Sequence, residues 1–208
     1  GYLRDVLIAI YLGSGPIADA FFVAFRIPNT FRRLFAEGSF NAAFVPSYSS
    51  ELTRGKIKAK NFANDVFNFL MLGLLILVIA VEIFMPGFIF LIAPGFYEDQ
   101  SKIELTTLLT RITFPFLLFI SLASFFSAVL NSHNKFGIAA ASSIILNIIL
   151  ILIILLKKNS DDNLVVYLSY GVSIAGLIQL IFVYIFAKKY FSPHLKLRLK
   201  ITKKINFF

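Results

Sequence analysis

Four long apolar runs constrain the fold of this chain more than any other feature of its sequence. A helix needs about 20 consecutive, mostly apolar residues to cross the hydrocarbon core of a membrane, and each run approaches or exceeds that length. The last three runs contain no charged residue, and the whole chain is 58% hydrophobic, which is too apolar for a soluble domain with a solvated surface. We therefore predict an all-α, polytopic membrane helical bundle with full spans at residues 64–93, 112–130, 136–156 and 163–187.

Two less regular segments raise the predicted number of transmembrane helices to about six. Residues 2–12 look like the second half of a first span, which we expect to be incomplete. Residues 17–50 look like a second span that carries charged residues and two prolines, Pro28 and Pro46. Because proline cannot donate a backbone hydrogen bond, we expect Pro28 to kink or break this helix close to its charges. A broken helix is tolerated at membrane depth only where it lines protein or water.

The connectors between the runs predict the orientation of the chain. Twelve Lys and Arg residues lie in the connectors near residues 54–60 and 133–135 and in the tail, against three in the connectors of the other side. Connectors rich in Lys and Arg stay in the cytoplasm, so we expect the N-terminus and the basic loops to be cytoplasmic. In the tail, residues 188–208, the segment 192–204 alternates apolar and basic residues. We interpret it as a cytoplasmic connector attracted to anionic lipid headgroups, although its periodicity also fits a strand.

Several function classes are disfavoured by the composition. The sequence has no Cys and only two His, which lie far apart without ligand spacing, so we expect no metal site. It contains no nucleophile-elbow, phosphate-loop or zinc motif, so we expect neither an enzyme nor a cofactor. The net charge of +9 could suggest a nucleic-acid binder. The basic residues lie in short connectors instead of on a soluble domain, so we expect no nucleic-acid partner.

Charged residues inside the second predicted span indicate a polar function. Charges at membrane depth are costly and usually face a bundle interior or an aqueous cavity. Arg26, Asn29 and Arg33 are spaced so that they share one face of a helix. Glu37 follows Arg33 by four residues, which is the spacing of a helical ion pair. Arg32 points elsewhere, roughly 100° from Arg33 around the helix axis.

A second charged pair, Arg4 and Asp5, lies in the first predicted span. Asp19 lies at the start of the second span, seven residues before Arg26 and near the same helical face. Both signs of charge in two neighbouring helices indicate an internal electrostatic cluster. Guanidinium groups bind phosphate and carboxylate in a forked geometry, so an anionic substrate is favoured.

A structural interpretation competes with this one. The charges could form an ion-pair network, or they could extend toward a membrane interface. The two interpretations stay open for Arg33 and Glu37, which can neutralise each other. For Arg4 and Arg32 we favour substrate contact, because an arginine within a membrane span is by default a functional candidate.

Five stretches of the sequence carry a recognisable pattern. The longest is RDVLIAIYLGSGPIADAFFVAFRIPNTFRRLFAEGSFNAAFVP at residues 4–46. Four shorter ones follow: APGF at 93–96, RITFPFLLFISLASFFSAVLN at 111–131, LN at 146–147 and KINF at 204–207. Together these stretches resemble the MurJ (MviN) family of lipid II flippases. The resemblance extends along essentially the whole chain, which would correspond to the amino-terminal part of a longer protein.

The resemblance implies an architecture and an activity. Residues 1–187 would form the amino-terminal lobe of a two-lobe transporter of the multidrug/oligosaccharidyl-lipid/polysaccharide exporter superfamily, and residues 188–208 would lead toward the second lobe. Such a protein of the bacterial inner membrane would flip lipid II from the cytoplasmic to the periplasmic leaflet by alternating access, for cell wall synthesis. Its implied partners are the undecaprenyl-pyrophosphate-linked peptidoglycan precursor and membrane lipids, with the cell-wall synthesis machinery as a further expectation.

The resemblance also implies roles for individual residues. The arginines of the first two spans would hold the pyrophosphate, and the neighbouring acidic residues would orient those arginines. Five residues are therefore expected to bind the substrate: Arg4, Asp5, Asp19, Asn29 and Arg32. Two further residues are expected to belong to a gate: Glu37 and Arg33.

Two alternative functions stay open from the sequence. The first is a transporter of the same superfamily that moves another lipid-linked oligosaccharide or a drug, although a cationic drug would favour an acidic cavity. The second is a non-transporting membrane scaffold that recruits partners through its basic tail. The scaffold would be supported if the tail mattered more than the arginines within the spans.

Overall fold

The computed structural model describes residues 1–32, 39–96, 98–157 and 163–194. The regular elements in these ranges are helices, without a strand, which confirms the predicted all-α fold class. A short 3-10 helix at Pro94–Phe96 precedes α6. In chain order the α-helices are α1 (Tyr2–Leu12), α2 (Pro16–Arg32), α3 (Ser39–Thr53), α4 (Lys56–Ile83), α5 (Met85–Ile92), α6 (Gln100–Thr113), α7 (Pro115–Ser132), α8 (Phe136–Lys157) and α9 (Leu164–Ala187).

Among the described residues, four helical segments are long and apolar enough to cross a membrane, and they correspond to the four predicted full spans. They are Lys56–Ile83, Gln100–Ser132, Phe136–Lys157 and Leu164–Ala187. The prediction of one continuous span at residues 64–93 is wrong in its bounds. At Phe84 the backbone leaves the helix, with φ −99° and ψ 23°, and Pro86 cannot donate to the carbonyl group of Glu82. The span therefore ends at Ile83, and a separate short helix follows.

The connectors between the helices lie at the two ends of the bundle. We call the end that carries Arg54 and Lys135 the basic face, and the end that carries Asp19 and Asp99 the acidic face. The first predicted spans are represented by α1, which ends at the acidic face, and by α2 and α3, which lead back toward the basic face.

The segment Gln100–Ser132 is the centre of the bundle. In the most apolar stretch of 18 residues within this segment, 72% is buried inside the bundle. The corresponding share in the other three spans is 22–39%. The two helices within it meet at Phe114, whose dihedral angles stay helical (φ −63°, ψ −35°). Pro115 at the start of α7 therefore continues the rod, because proline is tolerated in the first turn of a helix. The predicted span at 112–130 was too short, because α6 is polar in sequence and yet buried against its neighbours.

A side-chain cap starts this central rod at the acidic face. Asp99 Oδ1 accepts hydrogen bonds from the backbone N–H groups of Ser101 (3.0 Å) and Lys102 (3.1 Å). It also accepts one from Ser101 Oγ at 2.7 Å. This arrangement satisfies amide groups that have no partner within the helix. The hydrogen bond from the Ser101 hydroxyl, together with those from the amides, lowers the pKa of the Asp99 carboxyl group.

The second predicted span contains a proline that does not break it. α2 runs through Pro28 to Arg32, so the expected break at Pro28 is absent. Proline removes the donor that would bond the carbonyl group four residues earlier, which here belongs to Ala24. That buried carbonyl accepts a hydrogen bond from Thr113 Oγ1 of α6 at 3.0 Å. A neighbouring hydroxyl group thus replaces the missing amide, as membrane helices require.

Aromatic side chains fill the half of the core nearer the basic face. The ring of Phe125 in α7 lies 5.1 Å from that of Phe44 in α3 and 5.4 Å from that of Phe67 in α4, measured between centroids. In the other half, small residues let helices approach closely. A Cβ atom added at Gly176 in α9 would lie 2.6 Å from Cδ2 of Phe116, so glycine at this position permits the close approach of α9 to α7.

The last described residues are attached to α4 by side-chain amides. Asn64 Oδ1 accepts a hydrogen bond from the backbone N–H of His194 at 2.7 Å. Asn68 Nδ2 donates to the carbonyl oxygen of His194 at 3.1 Å. We call Asn64, Asn68 and His194 the tail clamp. Next to it, Phe191 is buried among the aromatic rings, 5.7 Å from Phe125, so the chain leaves the bundle at a fixed place on the basic face.

A histidine on the same face is held between two tyrosines. The ring of His133 stacks on Tyr190, with centroids 4.1 Å apart, and its Nε2 lies 3.5 Å from the hydroxyl group of Tyr48. Burial, reinforced by the nearby charge of Lys56, lowers the pKa of His133. The neutral imidazole is therefore the form that this contact favours.

Candidate functional site

The predicted pair Arg4 and Asp5 lies beside α8, close to the level of its middle. α1 packs against α8, and the amino group of Gly1 lies 3.0 Å from Oδ1 of Asn147. Asn147 is near the middle of α8, which spans residues 136–157. Because a helix rises about 1.5 Å per residue, Arg4 lies only about 5 Å from that level. The structure thus places this arginine close to the level of the middle of α8, one of the four described helical segments that are long and apolar enough to cross a membrane.

The guanidinium group of Arg4 is held by one carboxylate oxygen and one aromatic ring. Nε and Nη2 both donate to Oδ1 of Asp5, at 2.9 Å and 2.6 Å. The Cζ atom lies 5.4 Å from the centroid of the Phe25 ring in α2. The Arg4 side chain is 13% exposed, whereas the Asp5 side chain is 58% exposed. A mostly buried cation is therefore held by an accessible anion.

This geometry allows exchange of anions at Arg4. A charge-assisted hydrogen bond to a guanidinium is strong, but Asp5 uses a single oxygen and lies on the open side of the pair. A phosphate group that approaches from that side meets both the guanidinium and the competing carboxylate. The aromatic ring of Phe25 supports the cation in either case. Binding of an anion by this pair, expected from the sequence, stays a prediction.

Asp19 lies elsewhere, at the acidic face. Its Oδ2 atom accepts a hydrogen bond from Lys102 Nζ at 2.8 Å, and the same ammonium lies 4.1 Å from the centroid of the Phe96 ring. The predicted role of Asp19, to orient the arginines, thus differs from the contact observed, which joins the start of α2 to α6. The sequence indicated that Asp19 and Lys102 lie on the same side of the membrane, but no local spacing relates residues 83 positions apart.

The other predicted residues of α2 lie beyond Phe25 along the helix. Asn29 is partly buried and Arg26 is exposed, while the carbonyl oxygen of Arg26 accepts a hydrogen bond from Thr30 Oγ1 at 2.9 Å. Arg32 closes the helix, seven residues or about 10 Å beyond the level of Phe25. The backbone positions of Arg4 and Arg32 therefore differ in depth by about that distance.

The predicted gate lies outside the described residues. Arg33 and Glu37 fall in the segment 33–38, and the structure describes the backbone of Arg32 but not its side chain. The expected ion pair between Arg33 and Glu37 and the expected substrate contact of Arg32 therefore stay predictions.

A cavity lined by neutral polar residues was not predicted from the sequence. It has a volume of about 290 Å³ and lies where α3, α7, α8 and α9 meet. Gln179 is 2% exposed, and its Nε2 atom has no hydrogen-bond partner among the described residues. Hydroxyl and amide groups of Ser127, Asn131 and Ser143 also line the cavity. The signal in the sequence was the spacing of Ser124, Ser127 and Asn131 on one face of α7.

Comparisons with known proteins agree on one family. Residues 8–206 match the family model described as lipid II flippase MurJ. A probable lipid II flippase MurJ of Rickettsia prowazekii (strain Madrid E) is 41% identical over 91% of this chain and 37% of its own length. The corresponding protein of Rhizobium tropici is 44% identical over 89% of this chain and 36% of its own length. The chain thus spans less than two fifths of these relatives.

A solved structure gives the same result. The lipid II flippase MurJ in its inward closed conformation matches 95% of this chain with a TM-score of 0.81 and 29% sequence identity. The match covers 41% of that protein.

Proposed function

We propose that this chain, which belongs to the lipid II flippase MurJ family, moves lipid II across the membrane as the amino-terminal lobe of a two-lobe transporter. Residues 1–187 would form that lobe, and residues 188–208 would connect it toward a second one. The relatives are named as flippases, which are transporters and not catalysts. The transported molecule would be the lipid-linked peptidoglycan precursor, carried from the cytoplasmic to the periplasmic leaflet of the inner membrane by alternating access.

The observation that carries this proposal is the pairing of the mostly buried Arg4 with the exposed carboxylate of Asp5. A guanidinium at mid-membrane depth is costly unless it is paired, and here it is paired with an exposed carboxylate. The pyrophosphate of the precursor would take the place of Asp5 at the guanidinium. Asp5 would then hold the cation in the empty transporter and return when the substrate leaves.

The remaining candidates would act around this pair. Arg32, about 10 Å nearer the basic face along α2, would contact the other side of the headgroup, with Asn29 between the two arginines. Arg33 and Glu37 would form a gate beside them. Asp19, through its ion pair with Lys102, would tie α2 to α6 at the acidic face and would break or keep that contact as the cavity changes its facing side.

The proposed orientation follows from the charges of the two faces. The basic face, with Arg54 and Lys135, would lie in the cytoplasm, and the acidic face would lie in the periplasm. Cell-wall synthesis enzymes that supply or consume lipid II would be partners on these two sides.

Complementation tests the proposal most directly. A hybrid in which this chain replaces the matching part of a full-length relative is expressed in bacteria depleted of their own lipid II flippase. We expect the hybrid to restore growth and Arg4→Gln to abolish rescue at equal membrane levels, while Arg4→Lys restores it in part, because lysine keeps the charge but not the fork.

Arg54→Gln is the matched control, since it also removes a guanidinium, one that pairs with Glu51 on the basic face at 3.1 Å, and Arg54 is not among the residues proposed to bind the substrate. Rescue by Arg4→Gln would refute the assignment of the site. Failure of the parent hybrid, despite stable insertion and correct contact between the lobes, would favour another lipid-linked cargo.

A further inference from the structure

A groove lies between α5 and α6 at the acidic face, away from the pair Arg4 and Asp5. Its volume is about 440 Å³, and Pro86 of α5 forms part of its wall. The other wall is a stripe along α6, whose polar members are Gln100, Glu104, Thr107 and Arg111. These residues follow one another at intervals of three or four, so they lie on one side of the helix.

Exposed apolar side chains border this groove. Leu108, which also lines it, is 49% exposed. The neighbouring helices expose Ile83 (66%) and Leu91 (77%). Apolar side chains exposed on a membrane-spanning helix contact acyl chains, so a molecule in the groove would have its polar part against α6 and its apolar part against these side chains. A phospholipid has that construction.

The charges in the groove are ordered by depth. α6 starts at Gln100 on the acidic face and runs inward, so Arg111 lies about 10 Å deeper than Glu104. Gln100 Nε2 donates to Glu104 Oε1 at 2.8 Å, which holds the carboxylate near the surface. Within the described part of the chain, Arg111 forms no ion pair within 4.0 Å. The nearby carboxylate of Glu82 interacts with its charge across a longer distance.

We propose that this groove binds the headgroup of a zwitterionic phospholipid that carries a primary ammonium group. In such a lipid the phosphate lies next to the acyl chains and the ammonium lies farther out, which matches the deeper Arg111 and the shallower Glu104. Arg111 donates to the phosphate, where a guanidinium makes its strongest hydrogen bonds, and Glu104 accepts from the ammonium. An anionic lipid without an ammonium would leave Glu104 beside a negatively charged headgroup.

Native mass spectrometry of the full chain in mild detergent tests this proposal. The chain is titrated with phosphatidylethanolamine and with phosphatidylglycerol that have identical acyl chains. We expect the ethanolamine lipid to be retained several-fold more than the glycerol lipid. Arg111→Gln should lower its retention by roughly tenfold, the loss expected for a hydrogen bond to a charged group, and Arg111→Lys should restore part of it.

Two further variants separate charge from shape. Glu104→Gln should shift the preference toward phosphatidylglycerol, because the ammonium loses its partner and the anionic headgroup loses its repulsion. Thr107→Phe should reduce binding of both lipids, because it fills the groove and leaves the charges in place. Arg54→Gln, at the opposite face, should keep the ratio of the unaltered chain.

Three results would each overturn the proposal: equal retention of both lipids by the unaltered chain, undiminished retention by Arg111→Gln, or an unchanged ratio in Glu104→Gln. Equal retention would mean that the lipids bind only as a non-specific annulus around the helices. Either of the other two results would mean that any selectivity does not arise from the substituted residue. Because Arg111 and Glu104 are exposed, these substitutions should not unfold the chain, and circular dichroism checks this point. The outcome is independent of whether the chain transports lipid II.

Discussion

Replacing Thr113 by valine removes one hydroxyl group from the place where α6 meets α2. That hydroxyl donates to the carbonyl oxygen of Ala24 at 3.0 Å, and Pro28 prevents the backbone of α2 from supplying another donor. The hydroxyl also lies 3.2 Å from the carbonyl oxygen of Thr110. That second acceptor keeps the amide of Phe114 at 2.8 Å, so only the carbonyl group of Ala24 would lose its partner.

The expected cost follows from this single unsatisfied group. A buried carbonyl without a donor costs about 1–3 kcal/mol, and hydrogen bonds between membrane helices measure about 0.6 kcal/mol on average, with a maximum near 1.7. Valine has nearly the same shape as threonine, so packing should change little. We expect Thr113→Val to lower the free energy of unfolding by about 1–2 kcal/mol. Circular dichroism during titration from mild detergent into sodium dodecyl sulfate measures this loss.

A double-mutant cycle makes the reasoning refutable. In a Pro28→Ala background, residue 28 regains an N–H group that can donate to the carbonyl of Ala24, so Thr113→Val should then cost less than about 0.5 kcal/mol. Thr110→Val is the matched control. Its hydroxyl donates to the carbonyl oxygen of Thr106 at 2.7 Å, an acceptor that keeps its helical amide. The same loss from Thr113→Val in both backgrounds would show that the hydroxyl does not compensate for the proline.

Three further predictions concern packing, pH and the tail. Gly176→Ala should lower the free energy of unfolding by about 1–3 kcal/mol through overpacking against Phe116, and adding Phe116→Leu should recover part of the loss in the same titration. The pKa of His133 is lowered in the folded chain. Its contribution to the free energy of unfolding should therefore be complete above the ordinary pKa of 6.5 and should be lost as the pH falls below that value. His133→Phe should remove this pH dependence of stability. Asn64→Ala should release the backbone of His194 and speed proteolysis near it, whereas an unchanged cleavage rate would mean that the tail clamp contributes nothing.

The sequence predicted the spans better than it predicted their ends. Hydropathy located the four long apolar helical segments found among the described residues, since the length of a span is imposed by the bilayer. It could not locate the start of α6, because Thr106 and Thr110 are polar in sequence and fully buried in the structure. Their hydroxyl groups bond to carbonyls of their own helix, and this makes them compatible with a core.

At the candidate site, contacts between residues that are close in sequence could be predicted, whereas contacts that depend on helix packing could not. The pairing of Arg4 with Asp5 could be predicted because the two residues are adjacent in the chain. The pairing of Asp19 with Lys102 could not, since it depends on how α2 packs against α6. Likewise, proline at position 28 correctly indicated a missing hydrogen bond, but the helix continues because Thr113, distant in sequence, supplies the donor.

The tail clamp has a mechanical consequence. Both the amide and the carbonyl of His194 are bonded to α4, and Phe191 is inserted among aromatic rings just before it. A pull applied to the chain at His194 therefore acts on α4 through these two hydrogen bonds. It is transmitted as a torque on the basic end of α4, with the clamp as its pivot, until the two hydrogen bonds break. Whatever is joined to that segment can turn α4, and a movement of α4 can in turn displace what is joined there.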